Sequence, residues 1–265
     1  MKSATGSGLA PAVAGTGAPP VYEIDDYDLP GFLAEAAAFG TNRYGYVVTP
    51  NVDHFITLHE SAAFREMYAQ ASYVLLDSRV AALLFWLVHG LRIRVCAGSD
   101  ITIDLVSRVI APADPIILIG CSATQTQQLR DRYGLTNLRH HNPPMGFIHD
   151  PAAVESCLQF VEAQGPFRFC FIALGNPPGV VLAQALGARG RARGLALTIG
   201  ASIDFLTGKE RRAPGWIQHA RLEWLFRLLQ SPRRLAWRYL LKGPKFFAYV
   251  ASIHVVLRPP RPRAG

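Results

Sequence analysis

The sequence has few cysteines and no long apolar run. Its four cysteines, Cys96, Cys121, Cys157 and Cys170, are scattered without CxxC spacing. This pattern is not that of a disulfide framework, and it predicts reduced, mostly buried thiols. The two most apolar runs, residues 80–91 and 246–257, are shorter than the ~20 residues that a membrane-spanning helix needs, and each contains a histidine. Neither is predicted to span a bilayer.

Familiar catalytic and metal-binding signatures are also missing. The sequence contains no P-loop, no HExxH motif, no GxGxxG motif and no Ser–His–Asp order. Asp26 and Asp28 form a DxD pair, but no strand precedes them, so we interpret them as surface charge. His140 and His141 are adjacent in a turn-prone stretch and cannot face one ion, and no Cys, Asp or Glu lies at ligand spacing from them. We therefore predict no metal site.

Acidic residues are scarce in the C-terminal part of the chain. Residues 209–265 contain 13 Lys/Arg and 2 Asp/Glu, whereas residues 1–208 contain 14 and 17, so the net charge of +8 arises at this end. Such a cluster among aromatic residues can clamp a diphosphate, face anionic lipid, or form a solvated basic surface. The sequence has no compact nucleic-acid recognition motif, so we predict no nucleic-acid partner. The candidate side chains are Arg212, Arg227, Arg233, Arg234 and Arg238.

Short apolar runs alternate with helical patterns between these ends. The predicted strands are residues 44–49, 73–76, 116–120, 167–174 and 195–199. Repeated strand–loop–helix units predict an α/β fold, with a mostly parallel sheet covered by helices on both faces. Residues 1–21 are predicted to be a flexible tail and, lacking an apolar segment, not a signal peptide. Residues 22–208 would form the core, and residues 209–265 a basic helical appendage.

Polar residues follow several of these strands. Thr49 and Asn51 follow the first, and Asp77 follows the second, so both strands should deliver polar groups to the carboxyl edge of the sheet, where ligands bind. Asp77 could act as a general base or cap the next helix. Asp204 could hold a ribose or base, or stabilise its own turn. Gly120 precedes a hydroxyl-capped helix, which suits either a phosphate site or an ordinary βα turn.

Five stretches together resemble a known family. They are TPNVDH (residues 49–54), the strand-borne Asp77, AGSD (residues 97–100), IGASIDFLTG with RAP and W (residues 199–216), and LEWLFRLLQSPRRLAWRYL (residues 222–240). In this order and spacing they strongly resemble the WecG/TagA/CpsF glycosyltransferases, glycosyltransferase family 26. The resemblance covers about residues 44–241, and its LEWL-R-LL-x-x-P-x-R end is specific to the family.

The resemblance implies a fold, an activity and a location. The family has a Rossmann-like core with a mobile C-terminal appendage. Its members are inverting, metal-independent enzymes without a cofactor, and they make bacterial cell-surface polysaccharides. They transfer a sugar from a UDP-sugar to a polyprenyl-diphosphate-linked acceptor. The resemblance therefore implies a cytoplasmic protein, peripherally associated with the inner face of the cytoplasmic membrane, and it leaves a homo-oligomer open.

The resemblance also implies site residues. Asp77 would be the general base, with Thr49 and Asn51 in the same pocket. Arg227, Arg234 and Arg238 would stabilise the diphosphate and help to dock the membrane. The residues expected to bind the donor are Gly120, Gly146, Phe147, Gly175, Asn176, Gly200 and Asp204.

The sequence departs from the family pattern at two places. Ser78 follows Asp77 where the family usually has glycine. The family motif G-x-P-x-Q-E is here GNPPGV (residues 175–180), which lacks both the Gln and the Glu. Their loss raises a second hypothesis, a non-catalytic subunit that binds a nucleotide or a lipid-linked sugar. The PPMGF loop (residues 143–147) suggests an exopolysaccharide-type subgroup.

Overall fold

The main sheet has six parallel strands. The computed structural model describes residues 21–210 and 243–260, with single positions 214, 226 and 229. Its strands are β2 (Tyr44–Val48), β3 (Tyr73–Val74), β4 (Ile116–Ile119), β5 (Leu138–His141), β6 (Phe169–Ile172) and β7 (Gly194–Thr198). They lie in the order β3-β2-β7-β6-β4-β5, and every neighbouring pair is parallel. The predicted α/β class is confirmed.

Helices connect these strands and cover both faces of the sheet. They are α1 (Leu29–Ala38), α2 (Val52–Glu60), α3 (Ala62–Ala69), α4 (Arg79–His89), α5 (Gly98–Asp104), α6 (Ala123–Tyr133), α7 (Pro151–Ala163), α8 (Pro178–Arg189), α9 (Ser202–Leu206) and α10 (Gly243–Val250). A π-helical turn (Leu105–Val109) extends α5, and a 3-10 turn (Phe147–His149) precedes α7. Within the described part of the chain, no helix is long and apolar enough to cross a membrane.

The strands are apolar along their whole length because both faces of the sheet are buried. Along β2, Tyr46 and Val48 pack into one hydrophobic cluster, whereas Val47 packs into the other. The same alternation divides β6, where Cys170 and Ile172 face the first cluster. Parallel strands covered on both sides require this continuous apolar character.

All four cysteines are unpaired, and burial raises the pKa of the Cys96 thiol to about 12. Cys96, Cys157 and Cys170 are buried and Cys121 is half-buried, so the prediction of mostly buried thiols is confirmed.

Short polar side chains fix where helices begin. The side chains of Asp28, Ser61, Ser78 and Ser122 each accept a hydrogen bond from a backbone N–H in the first turn of the next helix. Such caps satisfy donors that have no partner within the helix. By contrast, α5 begins after Ala97 without a side-chain cap. Ser99 and Asp100 both lie within this helix and do not cap it.

A second, two-stranded sheet joins the two ends of the described chain. It pairs β1 (Val21–Asp25) in parallel with β8 (His254–Arg258). Beside it, Phe246 of α10 packs between Phe55 of α2 and Phe85 of α4. Residues 243–258 of the predicted appendage therefore pack on the core. Of the predicted tail (residues 1–21), Val21 begins β1 and residues 1–20 lie outside the described residues. Of the predicted appendage, residues 211–242 apart from 214, 226 and 229, and residues 261–265, also lie outside them.

Two polar motifs are structural. His140 and His141 end β5 rather than lying in the turn-prone loop predicted for them. In the DxD pair, Asp26 accepts a hydrogen bond from the backbone N of Arg94 (2.9 Å), and Asp28 caps α1. Among the described residues, no three His, Cys, Asp or Glu side chains lie close enough to hold a metal ion. The DxD carboxylates are thus engaged in local structure.

Candidate active site

The predicted meeting of β2 and β3 at one edge is confirmed. Val48 pairs with Val74, and beyond this register the backbone N of Asp77 donates to the Pro50 carbonyl at 2.9 Å. This bond places Asp77 beside the loop that leaves β2, between Thr49 and Asn51. Carboxylate, hydroxyl and carboxamide groups therefore come from the ends of two neighbouring strands at the carboxyl edge of the sheet, where ligands of open α/β sheets bind.

Thr49 is held between β2, β7 and the start of α5. Its hydroxyl donates to the carbonyl of Thr198 at 3.4 Å, and the Thr198 hydroxyl donates to the carbonyl of Val47 at 3.1 Å. On its other side, a Cβ built on Gly98 would lie only 2.9 Å from Thr49 Oγ1. A glycine at 98 therefore leaves the space that the Thr49 side chain occupies.

Asn51 is oriented by the helix that it begins. Its Oδ1 accepts from the backbone N of Asp53 at 3.0 Å and lies 3.0 Å from His54 Nδ1. His54 stands three residues into α2 and completes a capping box. The side chain of Asn51 is thus fixed by its own helix terminus before any ligand binds.

Asp77 does not cap the helix that follows it. Ser78 is the cap of α4, and its hydroxyl accepts from the backbone N of Ala81 at 3.1 Å. The capping alternative for Asp77 is therefore wrong, and the serine that replaces the family glycine serves as the cap. Asp77 itself is half-buried. A half-buried carboxylate at a sheet edge can accept a proton from a hydroxyl bound in the cleft.

Tyr68 of α3 lies near this carboxylate. Burial raises the pKa of the Tyr68 hydroxyl well above its usual range, and the negative charge of Asp77 acts in the same direction. The hydroxyl is buried and has no hydrogen-bond partner within the described part of the chain. Tyr68 therefore remains protonated in the folded protein.

The loop after β4 forms a second corner of the same edge. Gly120 has a φ of +91°, and a Cβ there would lie 2.7 Å from the Ala173 carbonyl, so only glycine fits this approach of two strands. At the start of α6, the Ser122 hydroxyl accepts from the backbone N of Gln125 at 3.2 Å. One of the N-terminal amides is therefore already bonded. Phosphate binding at this turn stays a prediction.

Asp204 ties α9 to α6. Its Oδ1 accepts from Gln125 Nε2 at 2.7 Å and pairs with Lys209 Nζ at 3.3 Å, and the side chain is almost fully buried. The carboxylate therefore bonds to another helix as well as to its own turn. Gly200, with a φ of +52°, lets the chain turn from β7 into this helix. Contact of either residue with a donor stays a prediction.

Asn176 connects the loop after β6 to α2. Its Nδ2 donates to Thr57 Oγ1 at 3.3 Å, while its buried Oδ1 has no partner among the described residues. Beside it, a Cβ on Gly175 would meet no atom within 4 Å, so the backbone there is open to a ligand. Asn176 and Gly175 thus lie in the loop at the carboxyl end of β6, and contact of either residue with a donor stays a prediction.

Gly146 and Phe147 lie elsewhere. They follow β5, which is five strand positions from β3, or about 24 Å at ~4.8 Å per strand. The ring of Phe147 is buried in the hydrophobic core. The structure gives Phe147 a packing role, and it does not bring that ring together with Asp77.

The two positions where the family has Gln and Glu are packed. A Cβ on Gly179 would lie 3.3 Å from the Leu174 carbonyl, and Val180 is a core residue at 1% exposure. In this chain no polar group occupies that site. The predicted arginines lie outside the described residues, so their role stays a prediction; they are Arg212, Arg227, Arg233, Arg234 and Arg238.

Sequence reasoning missed several residues of the edge. Tyr68 and His54 lie in predicted helices, and the sequence does not show which residues they contact, because these contacts depend on how α2 and α3 pack. Gln125 could have been found from the S-x-x-Q capping box at residues 122–125. Gly98 stood in the AGSD stretch, but its contact with Thr49 spans 49 positions and needs the fold.

Comparisons with known proteins show which family the chain belongs to. The chain is 24% identical over 241 residues to an N-acetylglucosaminyldiphosphoundecaprenol N-acetyl-beta-D-mannosaminyltransferase of Bacillus spizizenii (strain ATCC 23059 / NRRL B-14472 / W23). That alignment covers 87% of this chain and 90% of the relative. Residues 20–258 match the glycosyl transferase WecG/TagA/CpsF family, which confirms the resemblance drawn from the five stretches. The chain therefore belongs to the WecG/TagA/CpsF family and is a glycosyltransferase.

Proposed function

We propose that this glycosyltransferase moves a sugar from a UDP-sugar to a polyprenyl-diphosphate-linked acceptor, with inversion, during synthesis of a bacterial exopolysaccharide or other surface polysaccharide. The relative's name states a diphosphoundecaprenol-linked N-acetylglucosamine acceptor, which supports a lipid-linked acceptor here. The observation that carries the proposal is the position of Asp77, held against the exit of β2 beside Thr49 and Asn51.

The chain's own residues supply the chemistry at this edge. Asp77 removes the proton from the acceptor hydroxyl as that oxygen attacks the anomeric carbon of the donor. The bond from that carbon to the diphosphate breaks on the opposite face, so the configuration inverts. Thr49 and Asn51 hold the reacting groups in the cleft, because both are already fixed by hydrogen bonds. Preorganised groups of this kind lower the barrier without reorganising during the reaction.

The departing UDP carries negative charge that needs a partner. We propose that Arg227, Arg234 and Arg238 supply it, since no metal is expected to bridge the diphosphate. Charged groups placed where charge develops are a large source of catalysis. If this is correct, chelation of divalent metals with EDTA should leave the turnover rate unchanged. Loss of activity that added Mg²⁺ or Mn²⁺ restores would contradict the proposal.

Replacement of Asp77 tests the role of the base. We expect Asp77→Asn to lower turnover by about 10²–10⁴-fold, because general base catalysis contributes that much, while the affinity for UDP-sugar is retained. UDP release with a lipid-diphosphate monosaccharide measures turnover, and calorimetry measures donor binding. Asp104→Asn, on α5, is the matched control and should transfer sugar at the wild-type rate. Wild-type turnover in Asp77→Asn would refute the assignment.

A second function has one observation in its favour. Gly179 and Val180 are packed where the family has Gln and Glu, so a non-catalytic subunit that binds nucleotide or lipid-linked sugar is the alternative. A screen of UDP-sugars by mass spectrometry distinguishes the two. Binding without product from any donor and acceptor would favour the binding subunit.

The proposed acceptor also sets a location. A polyprenyl-diphosphate sugar resides in a membrane, so we propose that the protein acts at the inner face of the cytoplasmic membrane. The basic C-terminal sequence supports this proposal, because anionic lipid attracts clustered Lys and Arg. Charge reversal at Arg234 should then weaken both vesicle association and turnover, and added salt should weaken the association of the wild type. If charge reversal at Arg234 changed neither vesicle association nor turnover, and added salt did not weaken association, the proposed membrane location would be contradicted.

A further inference from the structure

The outer side of α4 is apolar although it borders solvent. Of its eleven residues, only Arg79 and His89 are polar. The inner side packs on the core through Ala81 and Phe85, which are fully buried. A helix that borders water usually carries polar residues on its outer side, whereas a helix that is apolar all round is buried or lies against lipid.

Three consecutive side chains near the end of α4 are exposed. They are Trp86 at 45%, Leu87 at 61% and Val88 at 46% exposure, and we call them the α4 patch. On the helix packed beside it, α10, Phe247 is 60% exposed. His89 Nε2 lies within hydrogen-bonding distance (2.7 Å) of the Val250 carbonyl and so joins the two helices. Trp86 and Leu87 lie on the outer side of α4, whereas Val88, two turns after the buried Ala81, is exposed near the helix end. Large apolar side chains exposed at a surface mark a site of contact.

The charge around the α4 patch is positive. Residues 79–99 contain three arginines and no Asp or Glu, although Arg94 lies 3.8 Å from the carboxylate of Asp26. Arg92, just past the patch, is exposed and forms no ion pair within the described part of the chain. Aromatic and aliphatic side chains flanked by cations match the interface of an anionic bilayer, where rings and chains enter the acyl boundary and cations meet the headgroups.

The α4 patch also stands at a useful distance from the site. Helix α4 starts immediately after Asp77 and Ser78, and Trp86 lies nine residues beyond Asp77. At 1.5 Å per residue this is about 14 Å along the helix. A bilayer that touches the patch therefore leaves room for a sugar-diphosphate headgroup between the lipid surface and the carboxylate.

We propose that the α4 patch docks the protein on an anionic phospholipid bilayer, so that α4 sets the height of the active site above the lipid surface. This inference rests on the proposed function, because that function requires an acceptor held in a membrane. It adds a contact surface on α4, which lies outside residues 209–265 of the basic C-terminal sequence. The proposed partner of the α4 patch is the lipid bilayer. It is not a second copy of the chain or another segment of the same chain.

Vesicle binding tests the patch directly. The full-length protein is sedimented with vesicles of phosphatidylglycerol and phosphatidylcholine and with vesicles of phosphatidylcholine alone. We expect Leu87→Gln to weaken binding to the anionic vesicles about tenfold, because the apolar side chain that would enter the lipid is replaced by a polar one. Met145→Gln is the matched control: Met145 is fully exposed, lies in the loop after β5 and should leave binding unchanged.

A fluorescence measurement separates lipid contact from lost folding. Trp86→Phe keeps an apolar ring, so it should still bind vesicles, but brominated acyl chains should quench less of the tryptophan emission than in the wild type. Quenching unchanged by Trp86→Phe, or vesicle binding unchanged by Leu87→Gln, would overturn the proposal. A change of oligomeric mass in Leu87→Gln without a change in vesicle binding would assign the patch to a second copy and overturn it as well.

An activity assay keeps this inference distinct from the proposed function. With a short-chain, water-soluble acceptor, Leu87→Gln should transfer sugar at the wild-type rate, because Leu87 touches no reacting group. With a polyprenyl acceptor in anionic vesicles, the variant should be slower. Failure of the wild type on every acceptor would refute the proposed function, whereas the vesicle binding of Leu87→Gln would still decide the role of the patch.

Discussion

At the residue scale, Gly98 is a sensitive position near the candidate site because its neighbour is Thr49. A methyl group there would press on the Thr49 hydroxyl, since the added Cβ would lie 2.9 Å from Oγ1. We expect Gly98→Ala to lower turnover by roughly 10²-fold, because a shift of about 1 Å in a positioning group has that effect. Steady-state kinetics with the donor varied would measure it.

A double variant shows whether the effect passes through Thr49. Thr49→Ala removes Oγ1, so Gly98→Ala should cost little further stability in that background, although activity stays low. The two substitutions should therefore be non-additive in urea unfolding, as contacting residues are. Additive losses of stability would contradict a direct contact between the two side chains.

Replacing Val180 with the Glu that the family has at this position would be a poor test of whether activity was lost there. Its side chain lies in the core, so Val180→Glu would bury a carboxylate without a partner. We expect a loss of about 3–5 kcal/mol in the free energy of unfolding. Urea unfolding measures this, with Val180→Ile as the volume control. A stable, more active Val180→Glu enzyme would instead show that the pocket opens at this position.

The candidate site could be predicted from the sequence only in part. Thr49, Asn51 and Asp77 were found because strand ends in a parallel sheet converge at one edge. The roles of Tyr68 and Gly98 were not found, since both depend on contacts between segments far apart in the sequence. Phe147 was misleading, because an aromatic residue after a glycine looks the same in a ligand loop and in a core.

At the element scale, α10 is held to α2 by a titratable stack. The rings of His59 and Tyr249 lie 4.0 Å apart, and the Lys245 ammonium pairs with Glu60 at 2.9 Å. Burial lowers the pKa of His59 below its usual 6.5, and the charge of Arg65 lowers it further, whereas Glu60 acts in the opposite direction. Protonation of His59 is therefore disfavoured in the folded state.

The lowered pKa gives the stability a defined pH dependence. Between the folded-state pKa of His59 and 6.5, the unfolded chain binds more protons than the folded chain. Stability is therefore full above pH 6.5 and decreases as the pH falls through this window. We expect His59→Phe, which keeps a ring against Tyr249, to reduce the loss of thermal midpoint between pH 7.5 and 5.5.

The contribution of His141 to the pH dependence of stability must be measured separately in the same experiment. Burial and the charge of His140 lower its pKa too, so it contributes a slope of the same sign. His141→Phe, in which the ring can still stack on Phe160, measures that share. An unchanged pH dependence in His59→Phe would show that the stack on α10 does not titrate with unfolding.

Elements with strong local patterns were predicted well, and those defined by distant pairing were not. The strand at residues 116–120 and the helix after Ser122 appear nearly as predicted, because apolar runs and caps are local signals. Strands β1 and β8 were missed, since each is short and becomes a strand only by pairing with the other across more than two hundred residues. The same reason explains β5, which was predicted as a loop.

At the scale of the whole molecule, a buried ion pair links the first and last strands of the described chain. Asp25 of β1 is 3% exposed, and its Oδ2 accepts from Arg258 Nη2 at 2.6 Å and from the backbone N of Val74 at 2.7 Å. One carboxylate thus links β8, β1 and β3. The edge that carries Asp77 is therefore braced by the C-terminal strand.

Removal of Arg258 should loosen this closure. Arg258→Ala leaves the Asp25 carboxylate buried without its cation, and we expect a loss of roughly 3 kcal/mol in the free energy of unfolding, as for other broken buried pairs. Glu23→Gln is the matched control, because the same arginine pairs with the exposed Glu23 at 3.1 Å, and exposed pairs contribute at most about 1 kcal/mol. Urea unfolding measures both, and equal losses would show that burial of Asp25 does not decide the stability of the closure.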